Sequence, residues 1–207
     1  MALRYLCLAV ACTALPFAVA SIFPGSACDF TGIDVEGAVA RLIAKLPDDV
    51  VTGSEEFYPV IAGFEVRAFD ATGFRKLQQF GPAMPYCVNG TRRVQVEFIN
   101  TGDVVLVAPW RHCSGLQGTF RLRSALSSFK THFHIGLGER DNDIKLSYHG
   151  PTLPLTTDNV QVNVGGAWPN ANTVAGILAI VFPAVVRELW NGQFFFRLSQ
   201  AFDEALN

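Results

Sequence analysis

The sequence predicts an α+β protein: a strongly curved antiparallel β-sheet wrapped around a long C-terminal helix, with a short amphipathic helix near the N-terminus. Three patterns carry that prediction. Between Phe57 and Val164 apolar residues recur at every second position, the period of strands that bury one face. From about Val174 to Leu206 they recur at helical spacing, in two stripes rather than one. Asp34 to Leu46 shows a single helical stripe.

The elements follow in chain order. Arg4, the apolar run from Tyr5 to Val19 and the Ala18-Val19-Ala20 site read as a secretory signal peptide over residues 1–20. Tyr5 to Phe23 is long enough for a retained anchor, but Pro16 and the small-residue site favour cleavage. Residues 21–207 then form a single secreted, extracellular domain. Half of the 207 residues are apolar and 16% are charged, a balance that supports a buried core and excludes a disordered chain. The net charge of −2, with no run of basic residues, excludes a nucleic-acid footprint of the usual kind.

In the first helix Val35, Val39, Leu42 and Leu46 share a face, Asp34 stands at the N-cap position and Pro47 ends the run. The strand runs set Phe64 and Val66 against Glu65 and Arg67, and Val94, Val96 and Phe98 against Gln95 and Glu97. Phe120 and Leu122 alternate with Arg121 and Arg123. Phe133 and Ile135 alternate with His132 and His134. Ile144, Leu146 and Tyr148 answer across a turn at Glu139–Asp143, and Val160, Val162 and Val164 precede Gly165-Gly166. A meander is the simplest wiring for runs in this order.

Secretion removes Cys7 and Cys12 and leaves Cys28, Cys87 and Cys113. A hairpin expected at Asn100-Thr101-Gly102-Asp103 brings Cys87 and Cys113 together, so a Cys87–Cys113 disulfide is predicted. Cys28 is then free or bonded to another chain. Asn89-Gly90-Thr91 is a glycosylation sequon, which makes Asn89 a candidate glycan site.

The terminal segment, roughly 50 Å long as a helix, is interrupted by Pro183. Leu178, Phe182, Val185, Leu189 and Phe196 form one stripe. Phe195, Leu198, Phe202 and Leu206 form the other, roughly 120° away at 100° per residue. The apolar run from Val174 to Val186 is shorter than the ~18 residues a spanning helix needs. Two stripes instead require apolar neighbours on two sides, as a curved sheet around a rod provides. Such a sheet encloses a long interior, which is either a filled core or a dry groove for an apolar molecule.

Chemistry-bearing motifs are few. His132 and His134 share a strand face at a spacing that can hold zinc, but Phe133 and Ile135 take the inward side, so no metal site is assigned. There is no G-x-S-x-G elbow and no glycine-rich phosphate loop. Ser114, His112 and His149 fall in loops. No cofactor and no enzyme activity are indicated. A lipocalin would show Gly-x-Trp near its first strand and a much shorter terminal helix.

The order of elements, together with Gly73-Phe74-Arg75-Lys76-Leu77-Gln78-Gln79-Phe80 and the stretch from Ile180-Val181-Phe182-Pro183 through Arg187 to Ala201-Phe202-Asp203-Glu204-Ala205-Leu206, resembles the group 7 dust-mite allergens. These belong to the tubular lipid-binding superfamily, with takeout, juvenile-hormone-binding and bactericidal permeability-increasing proteins. The chain departs from the takeout pattern in having Cys28 alone where paired N-terminal cysteines stand. The resemblance implies a curved sheet around a helix and a groove for a lipid, fatty acid, sterol or terpenoid. Inward positions Phe64, Val66, Phe120, Leu122, Phe133, Ile135, Leu146 and Val162 of the strands, with Phe182, Val185 and Leu189 of the helix, are the candidate ligand-binding residues. A transient membrane-surface contact fits the same reading. The alternative is a secreted interaction protein, with a filled core and a surface for immune or membrane recognition.

Overall fold

The computed structural model describes residues 28–61, 63–137, 144–166 and 170–207. The expected signal peptide and the expected turn at Glu139–Asp143 lie outside these residues, as does the side chain of Leu178. Helix α1 (Val35–Lys45) forms where the single stripe predicts it. The Asp34 carboxylate accepts from the backbone N–H of Gly37, and Val35, Ala38, Val39 and Leu42 are buried.

Ten strands follow: β1 (Phe57–Ile61), β2 (Phe64–Arg67), β3 (Asp70–Thr72), β4 (Gln78–Gln79), β5 (Met84–Val88), β6 (Thr91–Asn100), β7 (Val105–His112), β8 (Gln117–Leu137), β9 (Ile144–Tyr148) and β10 (Leu153–Gly165). A single 3-10 turn at Phe74–Lys76 sits between β3 and β4. All pairings among the described residues are antiparallel, in the order β1-β2-β7-β8-β6-β4, so the sheet is not the simple meander expected.

The organising strand is β8, 21 residues long. One edge pairs first with β7 (Leu106 opposite Leu122) and then with β6 (Asn100 opposite Ser127). The other edge pairs with β10 and β9. β6 and β7 therefore run in the same direction along one edge of β8, as two parts of a single bent ribbon. The stretch from Asn100 to Val104 is a jog in that ribbon, not a hairpin. The Asn100 side-chain oxygen accepts from the backbone N–H groups of Gly102, Asp103 and Val104, which satisfies the donors that a broken ladder leaves open.

This corrects the predicted disulfide. The bond is Cys28–Cys87, and Cys113 is a free, exposed thiol. Cys87 pairs with Arg92 at the start of the ribbon, whereas Cys113 follows its far end. At about 3.3 Å per residue the two are some 60 Å apart along it, beyond any disulfide. The β5–β6 hairpin turns instead at Asn89-Gly90, both at positive φ, as a type I′ turn requires. Asn89 is exposed there.

The terminal segment is two helices, α2 (Ala171–Val181) and α3 (Pro183–Leu206), meeting at 100°. Pro183 takes the first helical position of α3, where its missing N–H costs nothing. No single helix among the described residues is long and apolar enough to cross a membrane, although the bent pair together has the length and composition.

The second half of α3 is the centre of the core. Trp190, Phe194, Leu198 and Phe202 are fully buried. Phe194 meets Phe74 and Phe129, and Phe202 meets Phe98, Phe133 and Tyr148, with ring centroids 5.2–5.9 Å apart. Each such burial contributes about 1.5–3 kcal/mol. Arg197 is buried among them, donating to the carbonyl of Thr52 and the side chain of Gln200. Burial pulls its guanidinium below the usual value and nearby Asp70 opposes that.

Candidate functional site: a groove between the last strand and the helical elbow

Of the two stripes predicted on the terminal segment, the second is in the core: Leu198 and Phe202 are buried, and Phe195 and Leu206 pack partly against them. The first stripe differs from expectation. Phe182 is 53% exposed and Val185 66%, and Leu189 and Phe196 are also exposed. Val174, Ile177, Ile180 and Val181 of α2 continue this apolar surface, Ile180 reaching 79% exposure. Residues 171–186 carry no charged side chain.

The elbow is pinned to β10 at two places. The Asn172 side-chain oxygen accepts from the backbone N–H of Val164, at 2.6 Å. The Thr157 hydroxyl donates to the Asn191 side-chain oxygen at 2.8 Å, with both residues buried. Between these clamps, seven residues apart on β10, the helices turn through their bend and stand off the strand. The result is a half-open groove of about 380 Å³. Val160, Val162 and their polar neighbours Gln161 and Asn163 line the strand side. Gly176, Ala179, Ile180, Pro183 and Val186 line the helix side. Gly176 has open space where a side chain would be. Arg187 is the charged residue in this lining. A groove of this size, with polar groups mainly on its strand side, apolar groups mainly on its helix side and one cation at its wall, can take an apolar body with an acidic or polar end.

The candidate ligand-binding residues are not gathered in one place. Val162 lies in the groove, and Phe182, Val185 and Leu189 are on the exposed helical surface beside it. Phe133, Ile135 and Leu146 are brought together with Leu122 in the close-packed core. Val66 and Phe120 pack partly against the core, and Phe64 stacks on Trp110 at 5.4 Å. The sequence reading missed Gly176, Ala179, Ile180, Val186 and Arg187. The available clue was the charge-free stretch from Ala171 to Val186, of which the sequence reading took Phe182 and Val185 as ligand-facing and left out the residues between its stripes.

The histidines lie on the outer side of the sheet. The Tyr86 hydroxyl and His132 Nδ1 are 2.8 Å apart, and the His134 ring stacks on that of His149 with centroids 4.0 Å apart. His132 is held below the ordinary imidazole value by burial and then by Lys130 and Arg93. His134 is held low by burial, then His149 and Arg93. No group of three or more metal-binding side chains occurs among the described residues.

No protein-family model and no curated protein matches the sequence. Among solved structures, Takeout 1 of Epiphyas postvittana is similar over 75% of this chain and 74% of its own, with 8% identity and a TM-score of 0.43. A lipopolysaccharide binding protein is similar over 85% of this chain, with 12% identity and a TM-score of 0.37. This chain spans 38% of that protein's length. The resemblance drawn from the sequence was to the superfamily that includes takeout proteins.

Proposed function

We propose that this protein is a secreted, non-catalytic carrier of an apolar ligand, held in the groove between β10 and the α2–α3 elbow. The observation that carries the reading is a groove open beside a broad apolar surface, next to a core that is closely packed around Phe194 and Phe202. A soluble protein that leaves Ile180, Phe182 and Val185 in water keeps a hydrophobic patch that a ligand or partner can cover. Arg187 favours a ligand with an anionic head, so a fatty acid fits better than a sterol or terpenoid. Val162, Phe182, Val185 and Leu189 are assigned to ligand contact by non-directional desolvation. Leu122, Phe133, Ile135 and Leu146 are left to the packed core and Phe64, Val66 and Phe120 to its border, away from the proposed ligand. Asn89 is assigned as a glycan site, in an exposed turn.

The experiment is displacement of a fluorescent fatty acid, combined with native mass spectrometry of protein purified from its own source. Co-purified lipid near one per chain supports the carrier. Gly176→Leu adds an apolar side chain to the groove lining at a position where a Cβ meets nothing within 4 Å, and replaces a poor helix former. It should abolish probe binding with thermal stability kept or raised. Arg187→Gln should weaken a fatty acid more than its alcohol. A clean apo mass with no probe binding removes the carrier. The second reading, an interaction protein that uses the elbow as its contact surface, would then stand, and it is favoured by the fully packed core around Phe194 and Phe202.

A further inference from the structure

The outer face of β8 carries a line of cations that the sequence order conceals. Arg121 and Arg123 are at odd positions, and Lys130, His132 and His134 are at even ones. Strict alternation would put the two groups on opposite faces. In the structure the phase slips between Ser124 and Ser127. Leu122 and Ser124 are buried before the slip, and Ser127, Phe129, Thr131, Phe133 and Ile135 are buried after it. The Ser124 hydroxyl donates to the carbonyls of Leu126 and Asp158, and Asn159 of the paired strand adopts a positive φ of 48°. β10 thus slips together with β8. Both groups of cations are consequently on the side away from the core.

Neighbouring strands extend the line. Arg93 of β6 lies opposite His134, and Lys145 of β9 lies opposite Gly136. His149 stacks on His134. Carboxylates on this part of the face, among the described residues, are Glu97, opposite Lys130, and Asp158, opposite Leu126. Five permanent cations therefore face two carboxylates in a chain whose overall charge is −2. From Arg121 to His134 the line runs about 40 Å at 3.3 Å per residue and widens to three strands only at its His134 end, where Arg93 of β6 and Lys145 of β9 flank β8.

We propose that this ridge binds a linear polyanion, specifically a sulfated glycan chain laid along β8. Three features favour that partner. The charges form a narrow line, which an extended polymer can follow and a lipid surface would meet only in part. The aromatic groups on the ridge, Tyr86 and the stacked His134–His149 pair, gather at one end of it, whereas single-stranded nucleic acid stacks on platforms along its track. The Cys28–Cys87 disulfide fits an oxidising compartment, where sulfated glycans occur. The site is separate from the groove and does not depend on the carrier reading.

Protonation strengthens the ridge. Burial first, and then Lys130 and Arg93 for His132 and His149 and Arg93 for His134, holds the two β8 histidines below the ordinary imidazole value, while Tyr86 contacts His132 and Glu97 stands opposite Lys130. A bound polyanion offsets the repulsion from these cations, so affinity should rise as pH falls through the depressed histidine values.

The test is binding of the purified protein to heparin as the glycan probe, with single-stranded DNA and anionic phosphatidylserine vesicles as competitors. Binding should weaken steeply with salt. The double variant Arg121→Ala/Lys130→Ala should flatten the salt slope by about one per cation removed. Glu97→Gln/Asp158→Asn should bind more tightly than wild type, a gain that misfolding cannot mimic. Affinity should be several-fold higher at pH 5.5 than at pH 7.5, and His132→Gln/His134→Gln should remove most of that difference. Absence of binding at low salt would overturn the proposal, as would unchanged binding by both charge variants. Preference for DNA or vesicles over heparin would overturn the glycan assignment.

Discussion

The two halves of the terminal helical segment are equally rich in large apolar residues, yet they meet opposite fates. Around Phe194, Leu198 and Phe202 the side chains are enclosed by Phe74, Phe98, Phe129 and Phe133. Around Ile180, Phe182 and Val185 they face outward. The difference is in the sheet. At the Phe202 end β6, β8 and β9 curve over the helix, and α1 closes the remaining side. At the elbow, among the described residues, the helices lie mainly against β10, and two side-chain clamps hold them beside it without covering them. Hydropathy measures what a segment would gain from burial, while the number of walls around it decides whether the gain is realised. Where it is not, the apolar surface stays exposed.

That contrast can be broken by substitution. The largest effect should come from Phe202→Ala. Deleting a fully buried ring should cost about 3–5 kcal/mol in urea denaturation, whereas Val185→Ala should stay within about 0.5 kcal/mol. Equal costs at the two positions would show that the elbow is packed after all. Next is Cys87→Ser. Opening a bond that closes 59 residues of chain should cost about 2–4 kcal/mol, while Cys113→Ser should be neutral. Equal losses from Cys87→Ser and Cys113→Ser in thermal melts, with Cys28→Ser neutral, would restore the Cys87–Cys113 pairing. Third, Asn191→Ala leaves the Thr157 hydroxyl buried without its acceptor and should cost about 1–3 kcal/mol. It should also loosen one clamp and raise the dissociation rate of a bound fatty-acid probe. A stability loss with unchanged ligand kinetics would separate the clamp from the groove. The smallest effect is pH. His132 and His134 are depressed in the folded state, so the unfolded chain takes up their protons first as pH falls. Stability should be full above the ordinary imidazole value and decline slightly below it, and His132→Gln/His134→Gln should remove that decline in melts across pH 5–8.

Much of the architecture was legible because it rests on local periodicity. The stripe of α1, its Asp34 cap, the alternation of Val94, Val96 and Phe98, the break at Pro183 and the inward assignment of Leu122, Phe133 and Ile135 all follow from which residues share a face within a few positions. Joining the elements went wrong where two choices had equal local support. Asn100-Thr101-Gly102-Asp103 has the composition of a hairpin turn, and nothing within it reveals that both flanking strands lie along the same edge of β8. The disulfide error followed directly from that one. The groove was only half visible: its apolar wall is in the sequence, but the clamps that open it join Asn172 to Val164 and Asn191 to Thr157 across the tertiary fold.

The sequence alone determined which side chains seek burial and with what period, because backbone geometry within a strand or helix is short-ranged and repeats. Only the tertiary structure decided the phase of β8 beyond Ser124, the Cys28–Cys87 pairing and the exposure of the elbow. Each depends on a strand or helix distant in sequence being present at the right edge, and a one-residue slip that costs little locally moves every later side chain to the opposite face.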